Sequence, residues 1–438
     1  MRSIVLSGFM ATGKSTVGPL LATRLGLPFL DTDGEIERQS GRSVRDLWRE
    51  EGEASFRRRE LALIESIFSD PTPRVIAFGG GAVTTRRARH LALARAIVVT
   101  LTATPETIVA RVGPALPNRP NLALGGDPLA RARELLEERA DAYAECHALL
   151  SSDATEPEAL ADAIVAVARR GPLLVPLGSR SYVVDVVRGD PSVLTDAIAR
   201  CAPSSLVVVT DAHVQRDRHT SLDAALAPLA IPRTTVTLAA GEEHKTLASV
   251  ATIWDAALGA GVDRDALVIG FGGGVVGDLA GFAASALLRG LRSILVPTTL
   301  LAMVDASVGG KTGFDHPTGK NLLGSFHQPS SVVVDLSHLT TLPPRERTAG
   351  LAEVAKIGLA LDAPLLDALE RDSALVSEGN QEALAPVVRR AIEAKISVVR
   401  DDERERGLRA LLNLGHTVGH ALEAQGGYRK FLHGEAVA

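Results

Sequence analysis

Gly8-Phe9-Met10-Ala11-Thr12-Gly13-Lys14-Ser15 decides how the first part of this 438-residue chain folds. It is a complete G-x4-G-K-[ST] stretch. The apolar run 4–6 precedes it, and a helical pattern (Val17, Leu20, Leu21, Leu25) follows Thr16. Strand, glycine loop and helix in that order open an α/β domain. The glycines let backbone N–H groups wrap a phosphate at a helix N-terminus. Lys14 is placed to reach the β/γ-phosphates and Ser15 to hold Mg²⁺. Gly8, Gly13, Lys14, Ser15 and Thr16 are therefore the candidate contacts to ATP with Mg²⁺.

Outward from this loop, 74–78 and 96–101 read as buried strands, the first running into Gly79-Gly80-Gly81. Segments 129–149 and 158–170 read as amphipathic helices, and the Pro/Gly/Asn-rich stretch 114–126 as a loop. Arg169-Arg170-Gly171-Pro172 breaks the pattern. We place a first domain at 1–168, a linker at 169–176, a second α/β domain at 177–343 and an α-helical third at 344–438. The second domain rests on strand patterns at 181–187, 204–210, 233–238, 266–271 and 293–297. From 346 to 424 only helical patterns occur, and no internal repeat is visible.

Bulk composition bounds the function. The net charge of −5 implies no general affinity for nucleic acid or membrane, so local basic residues serve specific anions. Two cysteines, Cys146 and Cys201, make neither a disulfide framework nor a thiolate zinc site. No segment reaches the roughly 18 apolar residues of a membrane span, and the N-terminal apolar run is too short for a secretory signal. A cytoplasmic enzyme acting on small molecules is the expectation.

Further motifs follow the phosphate loop: Phe29-Leu30-Asp31-Thr32-Asp33, Gly52-Glu53-Ala54-Ser55-Phe56-Arg57, the glycines at 79–81, Arg119-Pro120, and Arg139 with Tyr143. In this order they resemble shikimate kinase over about 1–168. The resemblance implies that Asp31 sits near Mg²⁺, while Asp33, Arg57, Arg139, Gly79, Gly80 and Gly81 bind the acceptor. The chemistry agrees: guanidinium forks suit a carboxylate, an aspartate orients a hydroxyl, and glycines permit close approach. Arg119 is a candidate lid residue neutralising charge on the phosphoryl group; the family usually has Leu where Asn121 stands. Blander roles compete: Asp31 as a helix N-cap, Arg57 as one of a charged run, Arg139 as a surface ion pair.

In the second part, 266–271 runs into Gly272-Gly273-Gly274-Val275-Val276-Gly277. This G-x-G-x-x-G match is weak alone, because no acid ends the next strand, which closes in Pro297-Thr298-Thr299. Asp211, ending a different strand, can take the ribose role. Gly310-Lys311-Thr312 is not a second phosphate loop, since position 305 is Asp. Glu353 with His416, His420 and His433 suggests an open Zn²⁺ site, and His416 and His420 share one helix face. Spacing alone favours His420 as a ligand.

These stretches, with Gly241-Glu242, Lys245, Asp278, Gly319-Lys320-Asn321-Leu322, Lys356 and Asn413-Leu414-Gly415-His416-Thr417, resemble 3-dehydroquinate synthase from about 173 to the last residue. The resemblance implies an α/β NAD-binding domain of Rossmann-like type followed by an all-α metal-binding domain. It makes Glu353, His416 and His433 the ligands of Zn²⁺ or Co²⁺, with His420 beside the metal or substrate. It implies NAD contacts at Asp211, Glu242, Lys245, Gly273, Gly274, Asp278, Thr298, Thr299 and Lys320, with His213 departing from the family's Asn. Asp305, Lys356 and His420 take catalytic roles. Arg289, Lys311, Asn321, Lys395, Arg409 and Asn413 bind substrate, with Lys311 and Asn321 on the phosphate side and Lys395 and Arg409 on the carboxylate side. The implied chemistry is a cycle: a carbinol is oxidised, phosphate is eliminated, the hydride returns, and the ring opens and recloses as a carbocycle. The family continues for several helices beyond position 438 and forms homodimers. Rival readings are a zinc-dependent polyol dehydrogenase of the same superfamily, or a non-catalytic regulatory second half.

Overall fold

Short apolar runs can satisfy their backbone groups only by lying side by side, and they build two parallel sheets. The computed structural model describes residues 1–113, 122, 126–426 and 430–438, and the chain divides into two units, Met1–Ser181 and Tyr182–Ala438.

In the first unit, β1 (Ser3–Ser7), β2 (Phe29–Asp31), β3 (Val75–Ala77), β4 (Ala96–Thr102) and β5 (Ala148–Ser151) lie in the order β2-β3-β1-β4-β5, every pair parallel. Alternation along the central strand splits its side chains between two cores. Val5 packs with Ile76 and Val98 on one face, while Ile4 and Leu6 pack with Val75, Ile97 and Val99 on the other. The helix expected over 129–149 is broken. Pro128–Glu138 ends at Arg139, whose backbone (φ −103°, ψ 1°) leaves the helix before Ala140–Ala144. Pairing of β5 with β4 claims 148–151 for the sheet, and the break turns Arg139 over the ring of Phe9, 5.4 Å away. Helix Pro157–Arg170 ends on left-handed Gly171, and β6 (Leu173–Val175) follows within the stretch read as a linker.

In the second unit, β7 (Tyr182–Val187), β8 (Leu206–Asp211), β9 (Arg233–Leu238), β10 (Leu267–Gly272) and β11 (Arg292–Pro297) occupy the predicted segments. β12 (Lys311–His316), β13 (Gly319–Phe326) and β14 (Ser331–Asp335) were not foreseen, because glycines and lysines interrupt the first two. The order β7-β14-β11-β10-β8-β9 is parallel throughout, while β12 and β13 form a separate antiparallel hairpin. β8 leads outward to β9, and β10 leads outward to β11 in the opposite direction. The crevice between the ends of β8 and β10 is thus the topological switch point, the place where open α/β sheets bind ligands. Beyond β14, helices Pro344–Leu361, Ala363–Arg371, Ser373–Glu378, Gln381–Asp401, His416–Gln425 and His433–Val437 form the helical region. No helix among the described residues is long and apolar enough to cross a membrane.

Candidate active sites

The first site forms at the ends of β1, β2 and β3. The loop 8–15 feeds helix Lys14–Leu25 through left-handed Gly13. Gly8 (φ +130°) has no room for a Cβ against the Leu101 carbonyl, so both glycines answer a geometric need. Lys14 donates to the carbonyls of Gly8 (2.8 Å) and Phe9 (2.7 Å). Ser15 Oγ donates to Asp31 Oδ2 at 2.7 Å, which brings the two candidate Mg²⁺ residues together. Asp31 also caps helix Thr32–Ser40 through Asp33 N and Gly34 N on Oδ1, which leaves Oδ2 to Ser15.

The acceptor residues converge on the same end of the sheet. A Cβ on Gly79 would strike Asp33 and Glu60, and one on Gly81 would strike the Arg57 guanidinium. These backbones are where side chains crowd closest. Arg57 lies 5.5 Å over Trp48 and 5.6 Å over Phe56 and donates to Glu60 Oε2 at 2.6 Å. It is a half-buried, stacked cation rather than one of a solvated run. Tyr143 donates to the Gly80 carbonyl at 2.5 Å. Glu60 escaped the sequence reading. It is 1% exposed, and Oε1 has no hydrogen-bond partner. Burial pushes its pKa up to about 7, against the pull of Arg57 and with a smaller upward push from Asp33. Its signal was positional: it lies one helical turn after Arg57 on helix Glu53–Ser69. Arg119 lies outside the described residues.

The second site begins at the switch point. Asp211 ends β8 and caps the next helix through His213 N (2.9 Å) and Val214 N (3.0 Å). Gly273 and Gly274 begin helix Gly274–Ala286 directly after β10, beside Thr298 and Thr299 at the end of β11. The Thr298 hydroxyl is buried without a partner. Lys245 bonds Asp278 Oδ2 (2.5 Å) and Asn321 Oδ1 (2.6 Å), and Lys320 pairs with Glu242 (3.1 Å). The expected NAD-side residues therefore gather in two linked groups at one sheet edge.

The helical region supplies the rest. Asp305, on the π-helical turn Ala302–Ala306, pairs with Lys395. Burial alone would raise its pKa, but Lys395 and Lys356 pull it far below the usual carboxylate range. Lys356, 5% exposed, pairs with Glu353 one turn back on helix Pro344–Leu361. Glu353 is 0% exposed, and neither carboxylate oxygen accepts a well-aligned hydrogen bond. Lys356 supplies one positive charge on the Oε1 side, while Oε2 is left without a donor and can take a metal cation. One ligand atom each from Glu353, His416 and His433 lie within 4.8 Å of one another. His416 Nδ1 meets the Leu414 carbonyl (3.2 Å) and His433 Nδ1 meets Glu423 Oε2 (3.3 Å). Assigned as donors in these bonds, both rings keep Nε2 free to ligate. Burial and then Lys356 lower the His416 pKa to about 4, so the ring is neutral at pH 7, as a ligand must be. These residues fit a Zn²⁺ or Co²⁺ ion with an open position. A second set, His420, Glu423 and His433, meets the same distance limit, but Glu423 already accepts from His433 and from Lys320 (2.9 Å).

Some expected partners do not meet. Lys311 and Asn321 were grouped together, yet Lys311 opens β12 opposite Phe326, whereas Asn321 lies five residues away along β13. At about 3.3 Å per residue that is roughly 17 Å. Lys311 instead pairs with Glu405, which also accepts from Asn413 (2.9 Å), while Asn321 joins Lys245. Arg409 is 2% exposed and donates to the carbonyls of Glu403 and Gly309, so it straps a loop beneath the site. Arg289 is exposed beyond the far end of helix Gly274–Ala286, about 20 Å along the axis from Gly274 at 1.5 Å per residue.

Known proteins match both parts. The shikimate kinase family model matches residues 10–169, the 3-dehydroquinate synthase N-terminal model residues 235–349, and the 3-dehydroquinate synthase C-terminal model residues 350–438. A 3-dehydroquinate synthase of Pelobacter propionicus is 46% identical over 267 residues, covering 61% of this chain and 74% of its own length. Among solved structures, the 2-epi-5-epi-valiolone synthase ValA of Streptomyces hygroscopicus, with NAD⁺ and Zn²⁺ bound, is 35% identical, with TM-score 0.54 over 58% of this chain and 71% of its own. A shikimate kinase of Acinetobacter baumannii in complex with shikimate is 36% identical, covering 38% of this chain and 92% of its own, at TM-score 0.37.

Proposed function

Because the chain belongs to the 3-dehydroquinate synthase family and carries a shikimate kinase ahead of it, we propose how its residues divide two shikimate-pathway reactions. The first unit transfers the γ-phosphoryl group of ATP to shikimate, giving shikimate 3-phosphate and ADP. Lys14 exchanges the carbonyls of Gly8 and Phe9 for phosphate oxygens. Ser15 and Asp31 hold Mg²⁺, which when bound neutralises phosphate charge. Arg57 and Arg139 take the acceptor's carboxylate, and Asp33 orients its reacting hydroxyl. Arg119 supplies a further positive charge.

The second unit converts 3-deoxy-D-arabino-heptulosonate 7-phosphate to 3-dehydroquinate with release of phosphate. Glu353, His416 and His433 hold the metal, while Asp211, Glu242, Lys245, Gly273, Gly274, Asp278, Thr298, Thr299 and Lys320 line the NAD side. Those two groups, when bound, supply Lewis acidity and a reversible hydride acceptor. Lys356 and Lys395, both buried beside Asp305, present fixed positive charge to oxygens that become negative. His420 offers a ring nitrogen for proton transfer. Lys311 and Asn413 meet substrate from the Glu405 side, Asn321 from the Lys245 side. Arg409 acts by holding Gly309, and Arg289 is the outermost substrate contact in this assignment. The observation that carries the reading is the buried Glu353 carboxylate, its Oε2 without a donor, beside two histidines and two buried lysines.

The test is phosphate release measured together with NADH absorbance. Phosphate without net NADH fits carbocycle formation, whereas steady NADH accumulation refutes it in favour of a polyol dehydrogenase. Lys14→Ala abolishes phosphorylation and leaves dehydroquinate formation intact; loss of both refutes independent units. We further place the enzyme in the cytoplasm as a homodimer joined through its second unit, and a monomer mass by light scattering removes the dimer.

A further inference from the structure

Glu423 carries no role in the proposed reactions, yet it joins the metal-side residues to the NAD-side residues. It lies on helix His416–Gln425 at positions i+7 from His416 and i+3 from His420, which puts all three on one helix face. It is 3% exposed. Its two oxygens are divided: Oε2 faces His433 Nδ1 at 3.3 Å and Oε1 accepts from Lys320 Nζ at 2.9 Å. Lys320 also reaches Glu242 at 3.1 Å. A buried carboxylate with both oxygens occupied by donors is satisfied without a metal. Glu353 differs: Lys356 faces its Oε1, but its Oε2 has no donor. The two overlapping histidine–carboxylate sets therefore have different roles.

We propose that Glu423 is a positioning residue for the metal centre: it accepts from His433 Nδ1–H, fixes that ring so that Nε2 points toward Glu353 and His416, and is itself held by Lys320. Two further observations support this. His433 begins the short helix His433–Val437, where the ring gains no support from helical turns on its N-terminal side. And His416 already has a fixed orientation through the Leu414 carbonyl, so Glu423 gives His433 the counterpart that His416 draws from the backbone. A carboxylate in this place also makes the imidazole a stronger donor to a metal. Lys320 extends the arrangement from the metal ligand to the residues assigned to NAD.

The inference rests on Glu353, His416 and His433 being the ligands, and the experiment separates the two ideas. Zn²⁺ affinity of the full chain is measured by competition with a chromogenic chelator, and the visible spectrum of the Co²⁺-loaded protein is recorded. Trp254 fluorescence in a Trp48→Phe background verifies that the second unit is folded. Glu423→Ala is expected to weaken Zn²⁺ binding about 10- to 100-fold. Glu423→Gln, whose amide oxygen still accepts from Nδ1–H, is expected to bind more tightly than Glu423→Ala and to keep the wild-type Co²⁺ spectrum. Unchanged affinity in Glu423→Ala overturns the proposal. So does a Glu423→Gln variant with an altered Co²⁺ spectrum and affinity as low as Glu423→Ala, which makes Glu423 a direct ligand. Wild-type affinity in both Glu353→Ala and His416→Ala instead removes the ligand set itself.

Discussion

Replacing Glu60 by Gln probes the electrostatics of the acceptor site directly. Glu60 is buried between Arg57 and the Asp33 side of Gly79, and burial raises its pKa from 4.5 to about 7. At 1.36 kcal/mol per tenfold change in proton affinity, that difference corresponds to roughly 3 kcal/mol. The folded state holds a proton that the unfolded chain releases. Below about pH 4.5 both states are protonated and there is no cost. As pH rises toward 7 the unfolded state ionises first, so stability falls, and above about 7 the loss levels off. Gln carries no such titration. In a Trp254→Phe background Trp48 is the sole tryptophan, and it lies 5.5 Å from the Arg57 guanidinium. Urea unfolding followed by Trp48 fluorescence therefore reports on the first unit. The stability of Glu60→Gln relative to its parent should increase by about 2–3 kcal/mol between pH 5 and pH 8. A difference that stays constant over that range refutes the reasoning, whatever its absolute size.

Two other perturbations address the second unit. Gly309 has φ +103°, and a Cβ there would collide with the Arg409 guanidinium, so Gly309→Ala should cost about 1–3 kcal/mol in unfolding followed by Trp254 fluorescence in a Trp48→Phe background; an unchanged midpoint contradicts the strap assigned to Arg409. Dipicolinate added with Mg²⁺ in excess should strip the metal held by Glu353, His416 and His433 and stop dehydroquinate formation while shikimate phosphorylation continues; simultaneous loss of both activities contradicts the assignment of different metals to the two units.

Features carried by one short segment were legible in the chain. The loop 8–15 states its own function, because glycine conformations, a helix N-terminus and a lysine at fixed spacing do their work within eight residues. Five strands of the second sheet announced themselves through apolar runs, while β14 (Ser331–Asp335), buried along its length, went unread. The edge strand β2 has three residues, all of them half-buried, and β5 alternates half-buried with exposed positions, so neither produces a strong apolar run. β13 has no buried position, and the buried centre of β12 holds one large apolar side chain, Phe314, so neither gives a readable apolar run although the two pair by hydrogen bonds.

Partner choice is where the tertiary structure decided. Asp31 proved to be an N-cap and a Ser15 partner at once, because the end of β2 lies beside the phosphate loop. Lys311 went to the Glu405 carboxylate and Asn321 to the Lys245 ammonium, because the hairpin puts Lys311 at its open end, opposite Phe326, and Asn321 near its turn. Glu60, Glu405 and Glu423 carry no motif; each matters through the cation or ring opposite it, and Lys320 and Glu423 are 103 positions apart. By itself the sequence determined which chemical groups are present and which local backbone presents them, since those depend on neighbours along the chain. Which charge faces which, which carboxylate is left for a metal and which one steers a histidine depend on distances across the fold, and only the packed structure sets these.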